Sequence, residues 1–262
     1  MAIPYSIPDV RYPNSDVHNQ KGALPTMIQV YPASSRFEYD KGWLKGGHSF
    51  SFAEYYDPEN VKFGPMRVCN DDVIAPGKGF GAHPHSDMEI VSLILSGNLR
   101  HEDSLGNVAV TGFGGVQRMS AGTGVIHTEH NPSEEEDVHI LQLWFEPDQR
   151  GKQPSYTTGE FETAALDGAL IPVASGQGLE GVTDLGQDLT IYLSRLEAGQ
   201  RLSFKQAVDR RVFLFVIEGE LEVSGAGETA KLGRRDTARI VEAPELELQA
   251  ATPVFYMLID LP

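Results

Sequence analysis

Two short apolar runs, each closed by a glycine, constrain this chain more than any other feature. Ile90-Val91-Ser92-Leu93-Ile94-Leu95-Ser96-Gly97 recurs 122 residues later as Val212-Phe213-Leu214-Phe215-Val216-Ile217-Glu218-Gly219. A run this short and this apolar reads as a strand buried on both faces, with the glycine turning the chain at its end. Gly77, His83 and His85 have Gly199, Lys205 and Ala207 at the same offset, so the second copy keeps the glycines and loses the histidines. No histidine follows His139. Helix-periodic stretches are scarce, and strand-like runs between Gly and Pro recur. The expected fold is all-β: two packed jelly-roll β-barrels in one chain, with the chemistry confined to the first.

Pro4, Pro8, Pro13 and Pro25 among polar residues mark residues 1–26 as an extended N-terminal arm. Residues 27–150 then form the barrel that carries the histidines. The polar stretch 148–155, with its Gly and Pro, begins the connection to a second barrel over 151–262 that lacks them.

Within the first copy, His83-Pro84-His85 and His127-Thr128-Glu129 share i, i+2 spacing. On a strand such residues point to one face, roughly 6.5 Å apart at Cα. Two such strands facing one another would converge four ligands on one ion. Three imidazoles and a carboxylate suit a borderline divalent transition metal, and a six-coordinate ion would keep two positions open for substrate or oxygen. Glu89, four residues after His85, is a second candidate carboxylate. His101 and Asp103 repeat the spacing, but turn residues follow them directly, so they read as a surface hydrogen-bonding pair. His48 reads as a hydrogen-bonded strand histidine. Cys69, the single cysteine, excludes an intramolecular disulfide and reads as a small core residue. The acidic run 134–137 reads as a solvated loop tip.

A formal net charge of −16 would repel a phosphate backbone, which argues against direct nucleic-acid binding. No apolar run approaches the roughly 18 residues of a membrane span. Met1-Ala2-Ile3-Pro4-Tyr5 lacks the basic and apolar regions of a secretory signal, so a cytoplasmic protein is expected.

Gly77, His83, His85, Glu89 and Gly97, followed by Gly122-Thr123-Gly124, His127 and Asn131, resemble the two cupin motifs. Gly122 stands where the second motif has Pro, and the interval from Glu89 to Gly97 is one residue longer than in the first motif. Several denser segments are similar to the pirin family of bicupins. They are His48-Ser49-Phe50-Ser51-Phe52, Gly79-Phe80-Gly81-Ala82-His83-Pro84-His85, Met88-Glu89-Ile90-Val91, His101-Glu102-Asp103-Ser104-Leu105-Gly106-Asn107 and Met119-Ser120-Ala121-Gly122-Thr123-Gly124-Val125-Ile126-His127-Thr128-Glu129.

That resemblance implies one metal, typically iron as Fe(II), held by His83, His85, His127 and Glu129 in the N-terminal barrel only. It favours Glu129 over Glu89 as the carboxylate ligand. The donor types also accept Ni, Cu, Co, Mn or Zn. Relatives of this kind include quercetin 2,3-dioxygenases, which implies a small aromatic flavonol and dioxygen as partners, ring cleavage with release of carbon monoxide, and Glu129 as the acceptor of the substrate's hydroxyl proton. Other relatives imply an iron-binding regulator acting through a protein partner. A manganese decarboxylase or phosphosugar isomerase would place its carboxylate at Glu89. The fold alone does not choose among these. A monomer is expected, because two fused barrels bury against each other a face that single cupins bury by dimerising.

Overall fold

The computed structural model describes residues 27–262, so the arm read over 1–26 lies outside the described residues. Among the described residues, helix is limited to two single 3-10 turns, Ala33–Ser35 and Thr163–Leu166. No helix among them is long and apolar enough to cross a membrane. The strands form four sheets, two of seven strands and two of four. Each half of the chain is a two-sheet jelly-roll sandwich, and its sheets do not close into a continuous barrel.

In the N-terminal half, the seven-stranded sheet runs in space Ser155–Glu160, Gly115–Ser120, Glu89–Ser96, Val138–Phe145, Met66–Ile74, Leu44–His48, Phe37–Asp40. The four-stranded sheet runs Gly79–His85, Val125–His130, Asn98–Asp103, Val108–Gly112. The second half repeats the four-stranded order with Arg201–Lys205, Glu245–Ala250, Leu221–Gly225 and Glu228–Leu232. Its large sheet repeats the central order, with Arg211–Glu218 and Val254–Leu261 in the places of Glu89–Ser96 and Val138–Phe145.

One edge strand is exchanged between the halves. Ile28–Tyr31 pairs with Thr237–Val241 in the C-terminal sheet, and Ser155–Glu160 pairs with Gly115–Ser120 in the N-terminal sheet. Both strands therefore cross the boundaries drawn from sequence.

The glycine that closes each apolar strand has one physical explanation in both copies. Gly97 and Gly219 have φ of +72° and +81°, a left-handed backbone that a side chain disfavours. A Cβ on Gly97 would also meet the Asp137 carbonyl oxygen at 2.5 Å, and one on Gly219 would strike that of Pro253.

The two large sheets pack face to face around one shared core. Phe50, Met66, Leu141 and Leu143 from the first half join Phe213, Phe215, Met257 and Ile259 from the second. The rings of Phe50 and Phe213 meet at 5.9 Å. At one edge of this interface, buried Asp71 pairs with Arg36 and His139 of its own half and with Arg235 of the other. Burial opposes ionisation of Asp71, but the His139 hydrogen bond and the two guanidinium charges outweigh it and hold the carboxyl well below the usual range.

Between its two sheets the C-terminal half holds a continuous apolar core that includes Val212, Leu214, Val216, Leu246, Leu248 and Leu258. The corresponding space in the N-terminal half is divided into two smaller clusters, one around Ile74, Leu99 and Ile140 and one around Ile90, Met119 and Trp144. Buried polar side chains, among them Asn70, Asp72, Ser92, Gln142, His127 and Glu129, lie in this half. Buried polar groups on this scale are tolerated only where they find partners or a ligand.

Candidate metal centre

The four-stranded sheet of the N-terminal half is buried on one face, so its strands alternate inward and outward. Along Val125–His130, Val125, His127 and Glu129 are buried while Ile126 is exposed. Gly79–His85 lies beside it, with His127 opposite His83 and Val125 opposite His85. The two predicted ligand pairs are therefore hydrogen-bonded neighbours in one sheet and not strands facing across a barrel. A register irregularity between His127 and Glu129 sets Glu129 opposite Phe80.

The three rings converge. His83 Nε2 and His127 Nε2 are 3.0 Å apart, and the ring centres of His83 and His85 and of His85 and His127 lie 4.8 and 4.9 Å apart. Ligand atoms of His83, His85 and His127 all fall within 4.8 Å of one another, and so do those of His101, His127 and Glu129. The Glu129 carboxylate accepts from Ser92 Oγ at 3.2 Å and from Gln142 Nε2 at 2.6 Å. Gln142 is in turn oriented by Trp144, whose Nε1 donates to Gln142 Oε1 at 3.3 Å.

Glu89 is elsewhere. It is buried on Glu89–Ser96, accepting from Ser120 Oγ at 2.8 Å and from the Gly186 backbone N–H of the other half at 3.0 Å. Burial pushes its carboxyl up despite those donors.

A proton count tests whether these residues fit a metal. Four polar contacts run in a chain: Gly81 O to His83 Nδ1 at 2.7 Å, His83 Nε2 to His127 Nε2, His127 Nδ1 to His101 Nδ1 at 3.3 Å, and His101 Nε2 to Asp103 Oδ2 at 3.1 Å. Three neutral imidazoles carry three protons, so one contact lacks a proton. The end contacts need theirs, because a carbonyl and a carboxylate only accept. A fourth proton on His127 is resisted, since burial first and the neighbouring rings second lower that ring to about 2.

A divalent cation between His83 and His127 would supply the charge that this contact lacks. His85 adds a buried Nε2 with no hydrogen-bond partner. The donor set fits a divalent metal.

His101 departs from the sequence reading. It was expected at the surface with Asp103, but it is 1% exposed. Strand alternation turns Leu99 and His101 inward, so the turn that follows leaves the ring covered. Its ring stacks on Tyr156 of the exchanged strand at 3.9 Å and 6°. The remaining readings of single residues match what is found. His48 is buried and bonded to Asn70 Oδ1 at 2.8 Å, Cys69 is fully buried with its thiol pushed up to about 12 by burial, and residues 134–137 are exposed.

A narrow cleft opens onto His83 and Glu129. Phe52, Phe80 and Trp144 contribute aromatic walls, and a polar margin is formed by Tyr39, His48, Asn70 and Asp72. Tyr39 donates its hydroxyl to Asp72. Burial, reinforced by Asp71 and Glu129, pushes the Asp72 carboxyl up to about 7 against the Tyr39 hydrogen bond. Sequence reasoning missed Tyr39, Asp72, Ser92 and Gln142. Of these, Ser92 carried a signal, as the polar residue inside an otherwise apolar strand, at the position of Leu214 in the second copy.

Comparison with known proteins agrees with this architecture. The family described as Pirin matches residues 30–145, and the one described as Quercetinase C-terminal cupin domain matches 172–261. The chain is 37% identical over 236 residues to quercetin 2,3-dioxygenase of Escherichia coli K12, covering 90% of this chain and 99% of that one. It is 39% identical to the pirin-like protein of Caulobacter vibrioides, covering 89% and 99%. The crystal structure of the bacterial pirin YhhW of Escherichia coli in complex with nickel(II) superposes with a TM-score of 0.83 at 36% identity, covering 90% of this chain and 99% of that one. With its two sandwiched halves and their exchanged edge strands, this chain thus belongs to the pirin family.

Proposed function

We propose that this chain is a metal-dependent cupin oxygenase of the quercetinase type, cleaving the central ring of a flavonol such as quercetin with dioxygen and releasing carbon monoxide. The observation that carries this reading is the cleft, in which aromatic walls lead to a polar floor containing His83 and Glu129. Its support from relatives is the name quercetin 2,3-dioxygenase borne by the Escherichia coli homologue.

In this reading His83, His85 and His127, whose ligand atoms cluster, hold one divalent ion, and Glu129, which clusters with His127 and His101, is the fourth ligand. The ion is Fe(II) in the first instance, with nickel an alternative that the bacterial pirin complex supports. Such an ion supplies Lewis acidity toward a bound hydroxyl and a route for electron exchange with dioxygen. The protein's own groups do the rest. Phe52 and Trp144, packed edge to face at 5.3 Å, give a flat aromatic substrate an apolar wall and exclude water from it. Glu129 accepts the proton of the substrate's hydroxyl, and Ser92 and Gln142 hold its carboxylate in place as it does so. The margin of Tyr39, Asp72, His48 and Asn70 offers hydrogen-bonding groups to the remaining hydroxyls of a polyphenol.

The test is anaerobic mixing of the iron-loaded protein with quercetin, followed by admission of oxygen. Loss of the flavonol absorbance with one oxygen consumed and one carbon monoxide released per quercetin supports the reading. Loaded protein that leaves quercetin intact refutes the substrate.

A further inference from the structure

The histidine that sequence alone placed at the surface stands directly behind a metal-binding candidate. His101 and Asp103 lie opposite Glu129 and His127 across one strand pair. All three inward groups, His127, His101 and Asp103, have side chains sealed from solvent or nearly so. A hydrogen-bonded chain passes through them, His127 Nδ1 to His101 Nδ1 at 3.3 Å and His101 Nε2 to Asp103 Oδ2 at 3.1 Å.

The far end of that chain is fixed. Asp103 Oδ1 accepts from the backbone N–H groups of Leu105 at 2.9 Å and Asn107 at 3.0 Å and from Asn107 Nδ2 at 3.1 Å, while Oδ2 accepts from Asn107 Nδ2 at 2.9 Å. With every neighbour a donor, the carboxylate serves only as acceptor. In the neutral ring the His101 proton therefore sits on Nε2, leaving its Nδ1 as a lone pair. That lone pair faces His127 Nδ1, which then carries the proton of its own ring. The His127 Nε2 is left bare on the side of His83 and His85. Stacking on Tyr156 holds the plane of the His101 ring through which this order is passed.

We propose that Asp103 and His101 are positioning residues that set the tautomer and ring orientation of His127, so that a tight turn outside the site, Ser104 to Asn107, specifies which nitrogen of a buried histidine meets the metal. A partner on the second nitrogen of a ligating histidine fixes its orientation and raises its basicity, and losing such a partner costs about 10- to 100-fold in metal affinity. Here the partner is a second histidine backed by a carboxylate. The inference rests on the reading that His83, His85, His127 and Glu129 hold the ion.

The experiment measures Ni(II) binding to metal-free protein by competition with a chromophoric chelator, giving both stoichiometry and dissociation constant. His101→Phe keeps a flat ring against Tyr156 but offers His127 no acceptor, and His101→Gln restores an acceptor. The expected result is one Ni(II) per wild-type chain, about 10- to 100-fold weaker binding by H101F, and recovery of most of that loss by H101Q. Asp103→Asn, which keeps the shape and removes the charge, should weaken binding in the same direction and serves if H101F does not fold.

Wild-type protein that binds no Ni(II) overturns the ligand reading and this inference together. One ion bound equally well by wild type and H101F overturns the inference alone. Two ions per wild-type chain falling to one in H101F overturn it differently, making His101 a ligand of a second ion in the cluster with His127 and Glu129.

Discussion

His83 Nε2 and His127 Nε2 face each other across 3.0 Å, and no arrangement of protons on neutral rings satisfies that contact together with the contacts on either side of it. A cation between the two nitrogens removes the conflict. The same relationship gives a reason for the buried His83–His127 pair in a half whose sister packs a continuous hydrophobic cluster between its sheets.

Glu129→Gln keeps the shape of the side chain but removes its charge and its basicity. Turnover of quercetin is expected to fall by about 10² to 10⁴, the usual contribution of a positioned proton acceptor. Steady-state oxygen uptake at saturating metal measures it, and turnover within threefold of wild type would contradict the role assigned to Glu129.

Glu89 separates the cupin alternatives. As a structural acceptor it receives Ser120 Oγ and the Gly186 N–H from the other half. Glu89→Ala leaves that backbone donor unpaired, at a cost of about 1–3 kcal/mol. Denaturant unfolding should report that loss while metal stoichiometry stays at the wild-type value. Loss of metal in this variant with stability preserved would restore Glu89 as a ligand.

Asp72 gives stability a definite pH dependence. Its carboxyl is raised to about 7 in the folded protein, against about 3.9 in an unfolded chain. Between those values the unfolded state ionises and the native state does not, so the native state holds more protons and this group's contribution falls as pH rises, levelling above about 7. Asp72→Asn keeps an acceptor for the Tyr39 hydroxyl and cannot ionise. The variant is therefore expected to gain thermal stability relative to wild type on going from pH 4 to pH 8. A difference in Tm that does not change with pH would contradict the neutral acid.

Gly97→Ala imposes a side chain on a left-handed residue whose Cβ would lie 2.5 Å from the Asp137 carbonyl oxygen. The backbone term alone costs about 1–2 kcal/mol. Gly106→Ala is the control, since Gly106 also has positive φ but open space around it. Differential scanning calorimetry should show G97A as the less stable of the two, and equal loss would mean that the close approach contributes nothing.

The sequence made the duplicated architecture legible because each apolar strand ends at a glycine that the backbone requires, and that requirement survives in a half with no chemistry. The i, i+2 pairs announced inward-facing side chains for the same reason of periodicity, but not that their two strands are hydrogen-bonded neighbours in one sheet. What stayed hidden depends on contacts between residues far apart in the chain. The exchange of Ile28–Tyr31 and Ser155–Glu160 leaves no local signal, since an edge strand reads alike in either sheet. His101 was misplaced because its neighbours in sequence form a turn, while its cover is Tyr156 from the exchanged strand. Asp72 gave no sign of its role, which comes from Tyr39 on another strand, whereas Gln142, like Ser92 a polar residue in an otherwise apolar run, marked a buried polar position without naming Glu129 as its partner.

The most direct test of the metal centre is the metal content of protein isolated without chelators or a metal-affinity column, measured by plasma mass spectrometry for wild type, His83→Ala and His127→Ala. One divalent transition-metal ion per wild-type chain, reduced at least tenfold in both variants whose folding is verified by circular dichroism, is the result this structure predicts. Folded variants that keep a full equivalent of metal would contradict it.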